Sequence, residues 1–340
     1  MSSAQHSDAT WTPGDFEHPN PALRRSIIIA LCFAFILSTL AVVLRIVARR
    51  MTGSRLLLDD YLILVALFFK YSCSGGVTVL LYNGLGSHIT MIPAKNALVY
   101  LQIGYSNNFV YTGCIAFIKF SILALYKRLF AIRTMNLAVN AMFGFVCLWV
   151  VGVYVAGALI CIPASKFWDP SVEGACLDPY KFYYGIQVPN ILSDLILLIM
   201  PMHVVWSLPI PKSQKALLCG VFLVGGLTLV FSVFRLQAMI RLADLGPDIT
   251  YNQVPVVVWT CIEAAVGITA ACLPNLRPLF KLGHRSFWSQ ARSASNTSGK
   301  TLVESQTSRS TVSQQKEPFG FVEESVEVAQ YKDYTKCVKE

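Results

Sequence analysis

Seven long apolar runs, separated by short polar segments, set the pattern of this sequence. The runs cover residues 26–48, 60–82, 97–121, 136–162, 182–208, 215–240 and 254–276. Each run is long enough for an α-helix to cross the hydrocarbon core of a bilayer, which takes about 20 residues. Continuous apolar runs favour helices over the short alternating strands of a membrane barrel. The pattern therefore predicts an all-α polytopic membrane protein, a seven-transmembrane helix bundle.

The composition supports this fold class. Of the 340 residues, 54% are hydrophobic and only 14% are charged, whereas soluble domains carry about 25% charged residues. One large soluble core does not explain the shortage, because a soluble protein still covers its surface with polar side chains. The same numbers exclude a wholly disordered chain and a small disulfide-rich scaffold.

The two ends of the chain differ from the middle. Residues 1–25 are polar and lack the apolar stretch and cleavage site of a removable signal peptide. Residues 281–340 are rich in Ser, Thr, Gln and charged side chains, a composition typical of a disordered segment. We therefore expect a short extracellular N-terminal segment (1–25), a membrane domain (26–280) and a disordered cytosolic tail (281–340).

The Lys and Arg residues near the ends of the runs predict an orientation, because cytosolic loops carry an excess of them. Twelve such residues fall on one side of the predicted bundle and six on the other. This bias places the N-terminus outside and the tail in the cytosol, with the plasma membrane as the expected location. The net charge of +9 is then explained by orientation and by attraction to membrane lipids. No nucleic-acid partner is expected.

Cys161 and Cys176 differ from the other cysteines because both flank the predicted outer loop between the fourth and fifth runs. An extracellular loop is an oxidising setting, so we expect a disulfide between them. The alternative is two unpaired thiols, with Cys161 still inside the fourth helix. No metal site is predicted, because no histidine or second cysteine pair accompanies them.

Polar and charged side chains inside the apolar runs are candidate functional residues, because burying them in hydrocarbon is costly. Counted at about 1.5 Å per residue, six of them approach the middle of the bilayer: Lys70, Asn107, Asn108, Asn190, Asp194 and Glu263. We expect Lys70 to pair with one of the two carboxylates. The group forms either a polar cavity that binds a ligand or an interhelical clamp that fixes packing. The sequence leaves both alternatives open.

Other charged residues lie nearer the ends of the runs. We expect Arg45 and Lys119 to extend their long side chains to the cytosolic surface. Asp59 and Asp60 stand at the start of the second run, where the positive end of the helix dipole favours carboxylates.

Two further residues are expected near the outer surface. Arg235 lies toward the outer end of the sixth run, where Asp244, Asp248 or the outer mouth of the bundle would be its neighbour. His88 belongs to the glycine-containing segment 84–88. We expect this histidine at the tip of an exposed loop, with a ligand-sensing histidine as the alternative.

Short motifs follow one another along the chain: Leu44-Arg45, Leu58-Asp59-Asp60-Tyr61, Gly84-Leu85-Gly86-Ser87-His88, Lys119-Phe120-Ser121-Ile122, Asp194, Pro201, Ser232 to Arg235, and Leu273-Pro274. Together they resemble the motifs of the fungal rhodopsin-domain integral membrane proteins. This group includes the Pth-eleven-related receptor-like proteins and the satratoxin-cluster membrane protein family. The resemblance covers residues 27–280. It implies seven membrane helices and a disulfide in an outer loop.

Motifs of two other seven-helix classes are missing. The seventh run has no lysine, so a retinal Schiff base has no attachment point at its usual position, and no cofactor is expected. The third run does not end in Asp-Arg-Tyr, and the seventh contains no Asn-Pro-x-x-Tyr. Coupling like that of an animal receptor therefore has no support in these motifs.

The sequence supports three functional hypotheses. The first is a receptor-like protein of fungal type that binds a small ligand and signals to a cytosolic partner. The second is a membrane-embedded enzyme or accessory protein of a secondary-metabolite biosynthetic cluster, with Asp194 or Glu263 as a general acid. No catalytic residue is assigned, because no pair of nucleophile and base stands out. The third hypothesis is a transporter.

Overall fold

The structure of the protein, a computed structural model, describes residues 21–53, 55–130, 132–169, 171–206, 212–244 and 248–276. The side chains of residues 21, 203–206, 212–219 and 221 are outside this description. Most of the predicted N-terminal segment and the whole of the predicted tail, 281–340, also lie outside the described residues.

Seven of the described helices are long and apolar enough to cross a membrane, which confirms the prediction from the apolar runs. These seven are α1 (Pro21–Met51), α2 (Leu58–Tyr82), α3 (Ala94–Leu129), α4 (Arg133–Ala158), α5 (Pro179–Trp206), α6 (Lys212–Asp244) and α8 (Val254–Cys272). The short elements are α7 (Ile249–Asn252), the 3₁₀ turns Ile89–Met91, Ala164–Phe167 and Leu273–Leu276, and the strands β1 (Cys161–Ile162) and β2 (Ala175–Cys176). The protein is a multi-pass membrane protein whose apolar outer surface contacts lipid.

Helix α1 illustrates how the sequence divides a membrane helix between lipid and protein. Large exposed side chains recur along it every three or four residues: Ile29, Phe33, Ile36 and Leu40. Small buried side chains recur on another face: Ala30, Ala34, Ser38 and Ala41. Because small residues let two helix backbones approach closely in a membrane, α1 packs through the small face against α8.

Helix α3 is longer than its apolar run predicts. It ends at Leu129, whereas the run stops at residue 121. The extra segment is amphipathic, since Leu125 and Tyr126 are buried while Lys127 is exposed. Lys127 and Arg128 interrupt the apolar pattern, so the predicted run stops before this segment, although its apolar side packs on the bundle. As a result, Lys119 lies well inside the helix and not near its end.

A small hairpin lies between α4 and α5 at the end of the bundle that the charge bias predicts to be extracellular, called the outer end. The expected pair, Cys161 and Cys176, is joined by a disulfide, and the two residues face each other across β1 and β2. Gly174 is required by the close approach of the two strands, because a Cβ atom there would lie 2.3 Å from the Ile162 carbonyl oxygen.

The loop between α2 and α3 is tied to the segment before α8. The Thr250 hydroxyl donates to the Ser87 carbonyl at 2.7 Å. His88 bonds through Nδ1 to the carboxylate of Asp248, and its ring stacks on Tyr251 with 4.5 Å between the ring centroids. His88 is half-exposed. Because of these contacts, it connects two outer segments and does not stand free at the tip of a loop.

Acidification should weaken this connection. Partial burial alone would raise the pKa of Asp248, but hydrogen bonds from His88 and from the Ile89 N–H lower the pKa below its ordinary value of 3.8. A carboxylate with a lowered pKa stabilises the fold above its ordinary pKa, and this contribution disappears as the pH falls through the lowered value. Between about pH 5 and about pH 3, the melting temperature of the wild type in detergent should therefore fall toward that of Asp248→Asn. A constant difference over this range would contradict the assignment.

Candidate functional site

Lys119 is buried in the middle of the bundle and is paired there. Its Nζ lies 2.9 Å from Oδ1 of Asp194 and donates to the Asn190 side-chain oxygen at 2.7 Å and to the Ser193 hydroxyl. The ring of Trp149 adds a cation–π contact at 5.2 Å. The prediction that this lysine extends to the cytosolic surface is wrong, because α3 continues well past it and leaves the side chain too deep.

Arg235 forms a second buried pair, with Glu263. Its Nη1 lies 3.2 Å from Oε2 of Glu263 and donates to the Tyr111 hydroxyl. The guanidinium also stacks over the Tyr111 ring, 4.0 Å from the ring centroid. The prediction that Arg235 meets Asp244 or Asp248 is wrong, because its carboxylate partner is Glu263. Of the predicted alternatives, the outer mouth remains, since Arg235 lines a cavity toward the outer end. Because α6 extends to Asp244, Arg235 lies more than two turns inside the helix.

Two uncharged side chains join these pairs. The Ser232 hydroxyl lies 2.7 Å from Oε1 of Glu263 and 3.3 Å from Oδ2 of Asp194, so its single proton can serve either carboxylate. The amide of Asn190 donates to Glu263 at 3.3 Å. We call the following set the central ion-pair layer: Lys119, Asn190, Asp194, Ser232, Arg235 and Glu263. Its two cations and two carboxylates balance, which lowers the cost of placing charges in a bilayer. The layer ties α3, α5, α6 and α8 together.

Lys70 does not belong to this layer. It is 1% exposed, and its Nζ donates to the Ser74 hydroxyl at 2.8 Å. No carboxylate in the described part of the chain forms an ion pair with it. The prediction that Lys70 pairs with Asp194 or Glu263 is therefore wrong. Depth along a helix does not fix which neighbour a side chain faces, and other cations hold both carboxylates.

An outer cavity of about 370 Å³ lies between the central layer and the outer hairpin. Much of its wall is aliphatic or aromatic: Leu80, Leu101, Phe109, Ile160, Phe182 and Val257. The hairpin contributes both disulfide cysteines to the lining. Cavities of this size with a mainly apolar wall are typical of small-molecule sites.

Arg235 and Tyr111 line this cavity as well as contacting the central layer. Asn107 and Asn108 also line it, toward the outer end of α3. The sequence grouped these two amides with Asn190 and the two carboxylates. The structure divides that group between the cavity wall and the layer beneath it, and the guanidinium of Arg235 connects the two.

A smaller cavity of about 70 Å³ lies on the other side of the central layer. Lys119, Asp194 and Glu263 line it, together with Tyr126 and Pro274 toward the opposite end of the bundle. The ion pairs therefore separate two cavities, and any rearrangement of these pairs changes the walls of both.

A second group of charges closes the end of the bundle predicted to face the cytosol, called the inner end. Arg45 is fully buried, with Nη2 2.6 Å from Asp59 and Nε 2.8 Å from Asp60. Its Nη1 donates to the Ala271 carbonyl at 2.8 Å. The prediction that Arg45 reaches the surface is wrong, because the two carboxylates at the start of α2 hold the guanidinium inside.

Further residues extend this group across the inner end. Arg128 of α3 lies 2.8 Å from Asp59 and donates to Asn275, just after α8, at 3.0 Å. Arg49 contacts both carboxylates at 3.1 Å. We call the following set the inner charge cluster: Arg45, Arg49, Asp59, Asp60, Arg128 and Asn275. The helix dipole alone does not account for the two carboxylates, since ion pairs surround them.

Several members of these sites were not candidates in the sequence. Tyr111 reads as an ordinary aromatic residue of a membrane helix. Arg128 is one of the basic residues that predict the membrane orientation, and Asn275 belongs to no pattern that suggests a functional role. Ser232 and Arg235 stand three positions apart, which places them on one helix face, and this spacing was the available sign that they act together.

The central ion-pair layer can rearrange its ion pairs and hydrogen bonds. A ligand group beside Arg235 would compete with Glu263 for the guanidinium, and the Ser232 hydroxyl can rotate to donate its hydrogen bond to either carboxylate. Within the described residues, no group of three His, Cys, Asp or Glu side chains is placed to hold a metal ion.

Comparison with known proteins shows which family the chain belongs to. The family model named Fungal rhodopsin domain matches residues 44–282, well over half of the chain. A similar protein is the Polyenoic acids biosynthesis gene cluster protein Ba17b of Metarhizium anisopliae. It is 30% identical over 267 residues, which cover 72% of this chain and 71% of that protein. No solved structure matches the chain.

Two further relatives carry different names. The Satratoxin biosynthesis SC1 cluster protein 4 of Stachybotrys chartarum is 29% identical over 188 residues, 54% of this chain and 67% of that protein. Receptor GIN3 of Arthrobotrys oligospora is 25% identical over 274 residues, 77% of this chain and 64% of that protein. The seven membrane helices of the present chain and the match to the family model together establish that this chain belongs to the fungal rhodopsin domain family.

Proposed function

We propose that this protein is a receptor of the plasma membrane that binds a small ligand in the outer cavity and signals to a cytosolic partner. The observation that carries the proposal is the double position of Arg235, which lines the outer cavity and pairs with Glu263. A ligand that contacts this guanidinium changes its pairing. The central ion-pair layer would then report whether the cavity is occupied.

Helix α8 provides a route from the layer to the inner end. Glu263 stands on α8, and the carbonyl of Ala271, about two turns further along, accepts a hydrogen bond from Arg45. Coupling between distant sites needs a contiguous element that both sites can bias. A small shift of α8 on loss of the Arg235–Glu263 pair would reach the inner charge cluster, and with it the surface open to a cytosolic partner.

The names of the relatives support two readings. Receptor GIN3 supports a receptor. The polyenoic acid and satratoxin cluster proteins support an accessory or enzymatic role in secondary metabolism as the alternative. The two cavities on opposite sides of the central layer would also suit passage of a small molecule, so transport is the third reading.

A deletion strain of the source organism separates these functions. The strain is complemented with the wild type, with Glu263→Gln, or with Thr78→Ala as a control at an exposed position of α2. A receptor predicts that transcript changes induced by a culture-medium extract require the protein and are lost in Glu263→Gln but kept in Thr78→Ala. Surface biotinylation of intact cells confirms equal amounts of each variant at the plasma membrane.

Two results would contradict the receptor. One is a blocked metabolic step in the deletion strain with an unchanged transcript response, which favours the accessory or enzymatic role. The other is flux of labelled medium components into vesicles that contain the purified protein. This flux would depend on the concentration of the labelled components in the same way for the wild type and for Glu263→Gln.

A further inference from the structure

The charged residues that line the outer cavity are cations. Lys166 belongs to the hairpin and Arg235 to the central layer. Among the described residues, no Asp or Glu contributes to this lining. A cleft lined by charges of one sign, with low-dielectric walls, attracts ligands of the opposite sign. The remaining wall is largely apolar, so the favoured ligand combines a negative group with a hydrocarbon body.

The guanidinium of Arg235 has an N–H donor that is not used within the described part of the chain. A guanidinium carries five N–H donors, and Nη1 serves both Tyr111 and Glu263. Its Nε is buried and has no hydrogen-bond partner within the described part of the chain. Buried donors are rarely left without an acceptor. A planar guanidinium matches a carboxylate through two parallel hydrogen bonds.

We propose that the outer cavity binds an amphipathic organic acid. Its carboxylate accepts hydrogen bonds from Arg235, and its hydrocarbon body lies against the aliphatic and aromatic wall. This inference rests on the proposed function, since it names the ligand class of the same cavity. The bound carboxylate competes with Glu263 for the guanidinium, so the charge of the ligand is what loosens the central layer. Lys166 draws the anion toward the hairpin side of the cavity.

The cavity offers a matched pair of positions for blocking it. Gly104 lines the cavity, and a Cβ atom built there meets nothing within 4 Å. Gly144 on α4 is equally open and is not part of the lining. A side chain can therefore start from either position without a clash at its Cβ atom, but only Gly104→Leu adds volume at the cavity wall.

Binding of three ten-carbon probes tests the proposal. Decanoic acid, decanol and decyltrimethylammonium are titrated against the full-length protein in lipid nanodiscs, with empty nanodiscs to correct for partitioning. We expect decanoic acid to bind at least about tenfold more tightly than decanol. Gly104→Leu should weaken decanoic acid binding by about tenfold or more, and Gly144→Leu should leave it unchanged.

The source of the acid preference is tested separately. Arg235→Gln leaves Glu263 without its cation and risks misfolding, so the Arg235→Gln/Glu263→Gln double variant removes both charges together. We expect it to bind decanoic acid and decanol equally. Equal binding in the wild type, or preference for the ammonium probe, would overturn the proposed ligand class. An acid preference that survives in the double variant would overturn Arg235 as the residue that binds the carboxylate.

These outcomes remain distinct from failure of the receptor. Decanol binding that equals decanoic acid binding and is lost in Gly104→Leu would overturn the ligand class while leaving a ligand-binding cavity. Acid-selective binding, combined with a transcript response that does not depend on Glu263, would support the ligand class and overturn the receptor.

Discussion

Replacing Arg45 with methionine should strongly destabilise the bundle. Arg45 is fully buried, and its guanidinium joins α1 to Asp59, Asp60 and the Ala271 carbonyl. Removing one partner of a buried ion pair costs about 3–5 kcal/mol, because the other charge stays buried. The yield of monodisperse protein in detergent and its melting temperature should both fall sharply. Arg50→Met, at an exposed position of the same helix, should behave like the wild type.

A second variant makes the origin of this loss visible. Arg45→Met/Asp60→Asn removes one of the carboxylates that the single variant leaves behind, so it should recover part of the lost stability. If Arg45→Met were as stable as the wild type, Arg49 and Arg128 would be sufficient to hold the carboxylates. The inner charge cluster would then not be organised around Arg45.

The other large effect is expected at Lys119. Lys119→Met leaves Asp194 without its cation in the middle of the bundle, and the expected loss is again about 3–5 kcal/mol. Thermal unfolding in detergent measures it, with Lys127→Met at an exposed position of α3 as the matched control. Lys119→Met/Asp194→Asn removes both charges and should recover most of the stability.

The double variant decides whether the two charges are coupled. Equal melting temperatures for Lys119→Met and Lys119→Met/Asp194→Asn would contradict an energetic pair. Lys119 would then stabilise the bundle through its hydrogen bonds to Asn190 and Ser193 alone.

The number and order of the membrane helices follow from the sequence because lipid imposes a continuous apolar run on each of them. Helix α2 begins at Leu58 and ends at Tyr82, within two residues of its predicted run. The end of α3 was missed because its last turns are amphipathic and no longer continuously apolar. A rule based on apolar length cannot follow a helix past that point.

The partners of the buried charges were beyond the sequence. Arg45 and Arg50 are the same residue type on the same helix, yet one is fully buried and the other exposed. Five positions rotate a side chain by about 140° around a helix. Which direction faces the protein depends on how the helices rotate and pack. Lys70 and Lys119 both lie deep in their helices, but only Lys119 faces a carboxylate.

In the proposed receptor, the Arg235–Glu263 pair couples the outer cavity to the inner end of the bundle and does not only fix packing. Glu263 stands on α8, and α1 packs against α8. Loss of the pair should therefore move the inner end of α1 relative to that of α3. A purely structural clamp would leave these two ends where they are in every folded variant.

Single-molecule FRET in lipid nanodiscs measures this movement directly. Two fluorophores are attached through unnatural amino acids at the exposed positions of Arg50 and Lys127, on the inner ends of α1 and α3. Coupling predicts that Glu263→Gln shifts the distribution of transfer efficiencies, while Thr78→Ala leaves it unchanged. Superimposable distributions for the wild type and a folded Glu263→Gln variant would contradict it.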